Sequence, residues 1–172
     1  RVSLTITGSD VSLDRSVLEE MIDPLNHILR NAVDHGIELA ADRDLSGKPA
    51  EGSIRIEVSR VSDHVQILIT DDGRGIDVEA IRRTAASGGF LPAAQLAALD
   101  ESEVLMLTTI PGFSTARQVT EVSGRGVGMD VVKNNIDKLR GRIDIESKEG
   151  EGATFAIKLP VTLAIIEGIV VG

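Results

Sequence analysis

Two runs of strictly alternating apolar residues lie side by side in mid-chain, Ile54, Ile56, Val58 and then Val65, Ile67, Ile69. Alternation puts every second side chain on one face, so each run reads as a half-buried strand. The short turn-like connection over 59–64 makes the pair an antiparallel hairpin. A second hairpin closes the chain, pairing 142–148 with 153–159 across Glu149-Gly150-Glu151-Gly152. A single strand opens it, with Val2, Leu4 and Ile6 alternating up to Gly8.

Elsewhere the apolar period is helical. Asp14 precedes one such pattern (Val17, Leu18, Met21, Ile22), and Asp23-Pro24 predicts a fresh start. There Asp23 would be the N-cap and Pro24 the first helical residue, giving a second helix over 24–35 that stops at Gly36. Residues 37–52 read as a polar loop with at most one short helix. Further helices are expected over 78–86, 93–98, 101–107 and 128–139, whereas 108–125 has no periodicity. Loops of that length are mostly functional or disordered. Strand, two helices, hairpin, helices, loop, helix, hairpin is not a repeating βαβ pattern. It predicts an α+β domain, an antiparallel-rich sheet with helices on one face.

At 172 residues the chain fits one domain with a core that needs no staple. Its 18 Lys and Arg against 27 Asp and Glu leave a net charge of −9, which argues against binding nucleic acid or an anionic membrane through a basic face. Three Phe with no Tyr or Trp make aromatic stacking platforms for single strands improbable. The lack of Cys excludes disulfides, Cys-ligated zinc, iron–sulfur clusters and thiol catalysis, and fits a cytoplasmic protein. No apolar run approaches a transmembrane segment of about 18 residues, and no signal peptide opens the chain. A start in mid-strand without Met suggests an excised fragment. The 17 Gly call for an explanation.

Three motifs carry chemistry. With His27 at zero and steps of about 100°, Asn31 falls at about 40°, Asp34 at about −20°, Arg30 at about −60° and His35 at about 80°. Leu25, Ile28, Leu29, Ala32 and Val33 take the other side. The polar face fits a solvated surface; its neutral Asn and His beside a carboxylate also suit metal coordination or hydrogen bonds to phosphate. Asp71-Asp72-Gly73-Arg74-Gly75 ends an apolar strand, either as a plain turn or as a place where a ligand meets the backbone and a carboxylate accepts from an exocyclic amine. Gly124-Arg125-Gly126-Val127-Gly128-Met129 opens a helix, where exposed N–H groups and the helix dipole favour an anion. It is neither a dinucleotide fingerprint nor a P-loop, and alone it is a weak signal.

Taken in order, residues 25–38 (LNHILRNAVDHGIE), 71–77 (DDGRGID), 110–115 (IPGFST), 123–133 (SGRGVGMDVVK) and 152–160 (GATFAIKLP) resemble the N, G1, F, G2 and G3 boxes of the GHKL ATPase superfamily. Their wording is similar to the catalytic domains of CheA-type chemotaxis histidine kinases. The resemblance implies a two-layer α/β sandwich of the Bergerat type over 1–160, with 161–172 as the truncated start of a CheW-like regulatory domain. It implies ATP and magnesium as cofactors, with Asn31 and His27 near the metal and Asp34 and His35 as further catalytic-pocket residues. Asp71 would accept from adenine, with Gly73, Gly75 and Ile76 shaping that contact and Thr154 close to the base. Phe113, Ser114 and Thr115 would belong to a lid over 108–125, and Gly124, Arg125, Gly126, Gly128 and Met129 to the phosphate loop. Relatives often carry a lysine just after the lid's Phe-Ser-Thr; here Ala116 precedes Arg117, so Arg117 and Arg125 both stand as the phosphate-facing cation.

The implied partners are a histidine phosphotransfer domain acting in trans, and a CheW-like adaptor and chemoreceptors reached through other domains. The intact protein would be a homodimer and the fragment a monomer. Of the three His, His27 and His35 lie in the expected pocket and His64 at a hairpin turn, so none suits a phosphoacceptor. Two alternatives remain: an ATPase-driven conformational machine, for which the N-box helix lacks the catalytic Glu (Asn26 and His27 stand there), and a docking module with a degenerate nucleotide site.

Overall fold

The computed structural model describes residues 1–8, 11–113 and 128–161. Its strands are β1 (Val2–Thr7), β2 (Gly52–Val61), β3 (His64–Asp71), β4 (Arg142–Lys148) and β5 (Gly152–Pro160). They form one sheet in the order β1-β2-β3-β5-β4, with β1 parallel to β2 and every other pair antiparallel. Both expected hairpins are present, but β2 and β3 run on to a tight turn at Ser62-Asp63, where Ser62 adopts a positive φ of 55°.

Register explains the two layers. Ile56, Ile69, Phe155 and Ile145 stand in one row across four strands, and all four are buried. Residues one step along each strand face the other way and are polar: Arg55 opposite Thr70, and Thr70 opposite Thr154. The described helices supply the rest of the core to the apolar face, through Val17, Met21, Ile28, Ile81, Val104, Leu105, Val132 and Ile136. The α+β sandwich read from the sequence is the observed architecture.

Helix α1 (Arg15–Asn31) corrects the expected break at Asp23-Pro24. Asp14 caps it, accepting from the Ser16 amide at 2.8 Å, and the helix runs through Pro24 without restarting. Proline costs the ladder one hydrogen bond. Pro24 is nevertheless buried on the same side as Val17, Met21 and Ile28, and that packing holds the helix across it. After Asn31 the chain makes a π turn (Ala32–Gly36), closed by the Ile37 amide donating to the Ala32 carbonyl at 2.7 Å.

Helices α2 (Ala40–Leu45), α3 (Val78–Ser87), α4 (Ala93–Ala98), α5 (Glu101–Met106) and α6 (Met129–Lys138) lie within a residue or two of expectation, α2 being the one short helix of the 37–52 loop. A single 3₁₀ turn (Leu107–Thr109) follows α5. Helix α6 packs against α1. No described helix is long and apolar enough to cross a membrane.

Candidate functional site

A cavity of about 390 Å³ opens where the last turns of α1, the end of β3 and the start of α6 converge. Volumes of this order suit small-molecule ligands. From α1 come His27 and Asn31, four residues apart and therefore on one helical face. The π turn contributes Ala32, His35 and Gly36. Beyond β3 the wall continues with Gly75, Ile76 and Asp77, and Thr108, Phe113, Gly128, Met129 and, from β5, Ala153 and Phe155 complete it. π turns recur at functional sites because the extra residue re-aims side chains without ending the helix.

Asp71 is the buried anchor, only 5% exposed. Its Oδ1 accepts from the Gly73 amide at 2.9 Å. Burial pushes its carboxyl above the ordinary carboxylate value and the charges of Asp72 and Glu38 add to that, while the amides of Gly73 and Ala153 pull it down. Backbone must come very close here. A Cβ on Gly73 would sit 2.3 Å from the Gly36 carbonyl oxygen, and Gly75 combines a positive φ of 74° with a Lys148 carbonyl 2.4 Å from where its Cβ would be. Both positions admit only glycine without a shift of backbone.

At the helical side, burial lowers the pKa of His27, helped by Arg30 and opposed by Asp130. The ring is therefore neutral at pH 7, as a ligand or hydrogen-bond acceptor must be. Asn31 Nδ2 donates to the Met129 sulfur at 3.6 Å, which leaves the amide oxygen as the atom to offer a hard cation. Gly128 is the N-cap of α6, so the start of that helix adjoins the cavity, where its positive dipole end favours an anion, although the Val131 amide already donates to the Gly128 carbonyl at 3.1 Å. Phe113 stacks at a tilt on Phe90, centroids 5.1 Å apart, and closes one side.

The cavity thus gathers His27, Asn31, His35, Asp71, Gly75, Ile76, Phe113, Gly128 and Met129 from the sequence reading, with Gly73 just behind Asp71. Two expected residues fall outside it. Asp34 is exposed and forms no part of the wall, because the π turn breaks the regular 100° step that placed it beside His27. Thr154 lies on the far face of the sheet, its hydroxyl 3.1 Å from that of Thr70; the register sets Ala153 opposite Asp71 instead. Ser114, Thr115, Arg117, Gly124, Arg125 and Gly126 lie outside the described residues.

Ala32, Gly36, Asp77, Thr108, Ala153 and Phe155 line the cavity without having been singled out from the sequence. For Ala153 and Phe155 a signal existed: Phe155, Ile157 and Leu159 set the core-facing parity of β5, and Ala153 shares it.

The family model described as histidine kinase-, DNA gyrase B-, and HSP90-like ATPase matches residues 20–163. The chain is 46% identical over 99% of its length to the chemotaxis protein CheA of Treponema pallidum, and 47% identical over 98% to that of Salmonella typhimurium. A gliding motility regulatory protein of Myxococcus xanthus is 46% identical over 99% of the chain. The chain spans only 21%, 25% and 22% of these three proteins. Among solved structures, the histidine kinase domain of the Erythrobacter litoralis blue-light activated kinase superposes with a TM-score of 0.54 at 14% identity, over 93% of this chain and 52% of that one. That likeness speaks to the fold. With the family model running from residue 20 within α1 through the cavity to beyond β5, the chain belongs to the family of histidine kinase-, DNA gyrase B-, and HSP90-like ATPases.

Proposed function

We propose that the chain is the ATP-binding catalytic domain of a CheA-type protein histidine kinase, passing the γ-phosphate of ATP to a histidine on a separate phosphotransfer domain. One observation carries the reading. A single cavity joins a buried carboxylate suited to an adenine amine (Asp71), an amide and a neutral imidazole on one helical face (Asn31, His27), and a helix N-terminus (Gly128). Identities of 46–47% to two CheA proteins support the subtype.

Phosphoryl transfer depends on positioning and charge neutralisation more than on covalent chemistry. Asp71 fixes the base, the α6 amides hold anionic oxygens, and the Phe113 wall shields the site from water. The donor set also fits magnesium. Among the described residues no group of three or more His, Cys, Asp or Glu could hold a metal by itself, and magnesium in nucleotide sites takes one or two protein ligands plus phosphate oxygens. Asn31 would hold it through its amide oxygen with His27 beside it, and the ion would supply neutralisation of the triphosphate.

Of the side chains that α1 lends to the cavity, neither is a carboxylate, which disfavours water activation from this helix and hence an ATPase machine. His27 and His35 line the cavity, and His64 sits at the far end of β3 beside Asp63. The acceptor histidine is therefore assigned to another domain. On this reading residues 1–160 form the kinase domain, 161–172 begin a CheW-like domain, and ATP as donor puts the site in the cytoplasm. A CheW-like adaptor, chemoreceptors and a homodimeric kinase follow as the wider assembly.

The test is to incubate the chain with magnesium and γ-labelled ATP, with and without an added histidine phosphotransfer domain. Acid-labile label should appear on the added domain alone. Stable phosphohistidine on the chain itself, or rapid multiple-turnover hydrolysis without acceptor, would overturn the assignment.

A further inference from the structure

Behind the cavity wall lies a charge cluster whose two cations none of the motifs contains. Arg43 of α2 is completely buried and Lys48 is 16% exposed, both inside the polar loop between the π turn and β2. Arg43 pairs with Glu38 at 3.0 Å and with the Asp72 carboxylate at 2.8 Å, and Lys48 pairs with Glu38 at 2.8 Å. Buried cations need such partners. The notable bonds, however, go to the backbone just after Asp71.

The Asp72 carbonyl accepts from Lys48 Nζ at 3.0 Å and from Arg43 Nη1 at 3.2 Å. That carbonyl belongs to the same rigid, planar peptide as the Gly73 N–H, which points the opposite way and donates to Asp71 Oδ1 at 2.9 Å. The next peptide repeats the arrangement. The Gly73 carbonyl accepts from Lys48 at 2.7 Å, and the Arg74 N–H of that same plane donates to the Gly36 carbonyl at 2.9 Å. Two consecutive planes are thus held from both edges, and one of them grips the carboxylate of the base-reading residue.

We infer that Lys48 and Arg43 are positioning residues for base recognition: by setting the two peptide planes after Asp71 they orient its carboxylate toward the exocyclic amine of the purine. The inference rests on the ATP-binding reading above. Freed of these cations, the Asp72–Gly73 peptide can rotate and release Oδ1, and the carboxylate loses its fixed aim. Contacts to the triphosphate, made on the helical side, remain.

The discriminating measurement compares ATP with purine riboside triphosphate, the same nucleotide without the 6-amino group. Lys48→Met keeps most of the apolar stem and removes the donor; Lys48→Arg keeps a donor. Binding of both nucleotides is measured by titration calorimetry, and folding by thermal unfolding. Wild type should favour ATP, since a site built around an amine is penalised when the amine is missing. In Lys48→Met, ATP affinity should fall by about tenfold while the purine analogue changes by less than about twofold, so that the preference collapses. Lys48→Arg should restore most of it.

An undiminished ATP preference in Lys48→Met overturns the inference, whether or not both affinities drop together. So does a Lys48→Met chain that fails to fold while Lys48→Arg folds, since the lysine then serves stability alone. A wild-type chain that binds both nucleotides equally overturns it as well, whereas one that binds neither removes the ATP reading itself.

Discussion

Burial raises the pKa of the Asp71 carboxyl, and Asp72 and Glu38 push it the same way. A carboxyl whose folded pKa exceeds its unfolded value favours its protonated form in the fold, so raising the pH between those two values subtracts from stability. The ionised form is the stronger acceptor, so on the proposed reading this charge serves binding of the adenine amine at the expense of the fold. Asp71→Asn should therefore weaken ATP by at least about 100-fold, the cost of a lost charge-assisted bond facing an amide N–H. Its thermal midpoint at pH 7 should equal or exceed that of wild type, and calorimetry and thermal unfolding check both halves. In the wild type ATP affinity should begin to fall, on acidification, at a higher pH than an ordinary Asp would dictate. His27 behaves differently, because burial already keeps its ring neutral. His27→Gln should hold ATP affinity within about threefold and slow transfer to a phosphotransfer domain by about tenfold or more; equal losses in the two measurements would refute the separate roles.

At the scale of elements, Gly73 shows how closely two loops approach. The methyl of Gly73→Ala would meet the Gly36 carbonyl oxygen at 2.3 Å and Asp71 Oδ1 at 2.8 Å. It should cost about 1–3 kcal/mol in denaturant unfolding and lower ATP affinity along with it. Most elements were legible because their apolar period is long and regular, as in the two hairpins and α6. Asp23-Pro24 misled because its local preference is real, while the burial of Pro24 against the core, a tertiary fact, decided the matter. The π turn leaves no periodic trace in five residues, so a regular step of about 100° set Asp34 beside His27, whereas it lies outside the wall. Thr154 lies away from the cavity for another reason: which residue of β5 meets Asp71 depends on pairing across more than 80 residues, although the parity of Phe155 pointed to Ala153. Arg43 and Lys48 were illegible, since a polar loop does not announce that its cations fold inward.

Seen whole, the proposed ATP site belongs to a molecule with a net charge of −9. Attraction at long range cannot bring ATP in; helix-end amides and the proposed magnesium act only at contact. The association rate for Mg-ATP should therefore rise as ionic strength goes from about 20 to about 200 mM, where a basic docking face would show a fall; stopped-flow mixing at several salt concentrations tells the two apart. The β4–β5 turn has a quieter role in the same assembly. Gly150 donates its amide to the Arg74 carbonyl at 2.8 Å, and Ile76 donates to the Ser147 hydroxyl at 2.8 Å. These bonds tie an exposed hairpin tip to the strip of backbone that walls the cavity. In deuterium exchange the amides of Gly150 and Ile76 should open as a single unit. Adding nucleotide should then slow exchange at Gly150 as much as at Ile76, so a solvent-facing turn that is no part of the cavity wall becomes a reporter of occupancy.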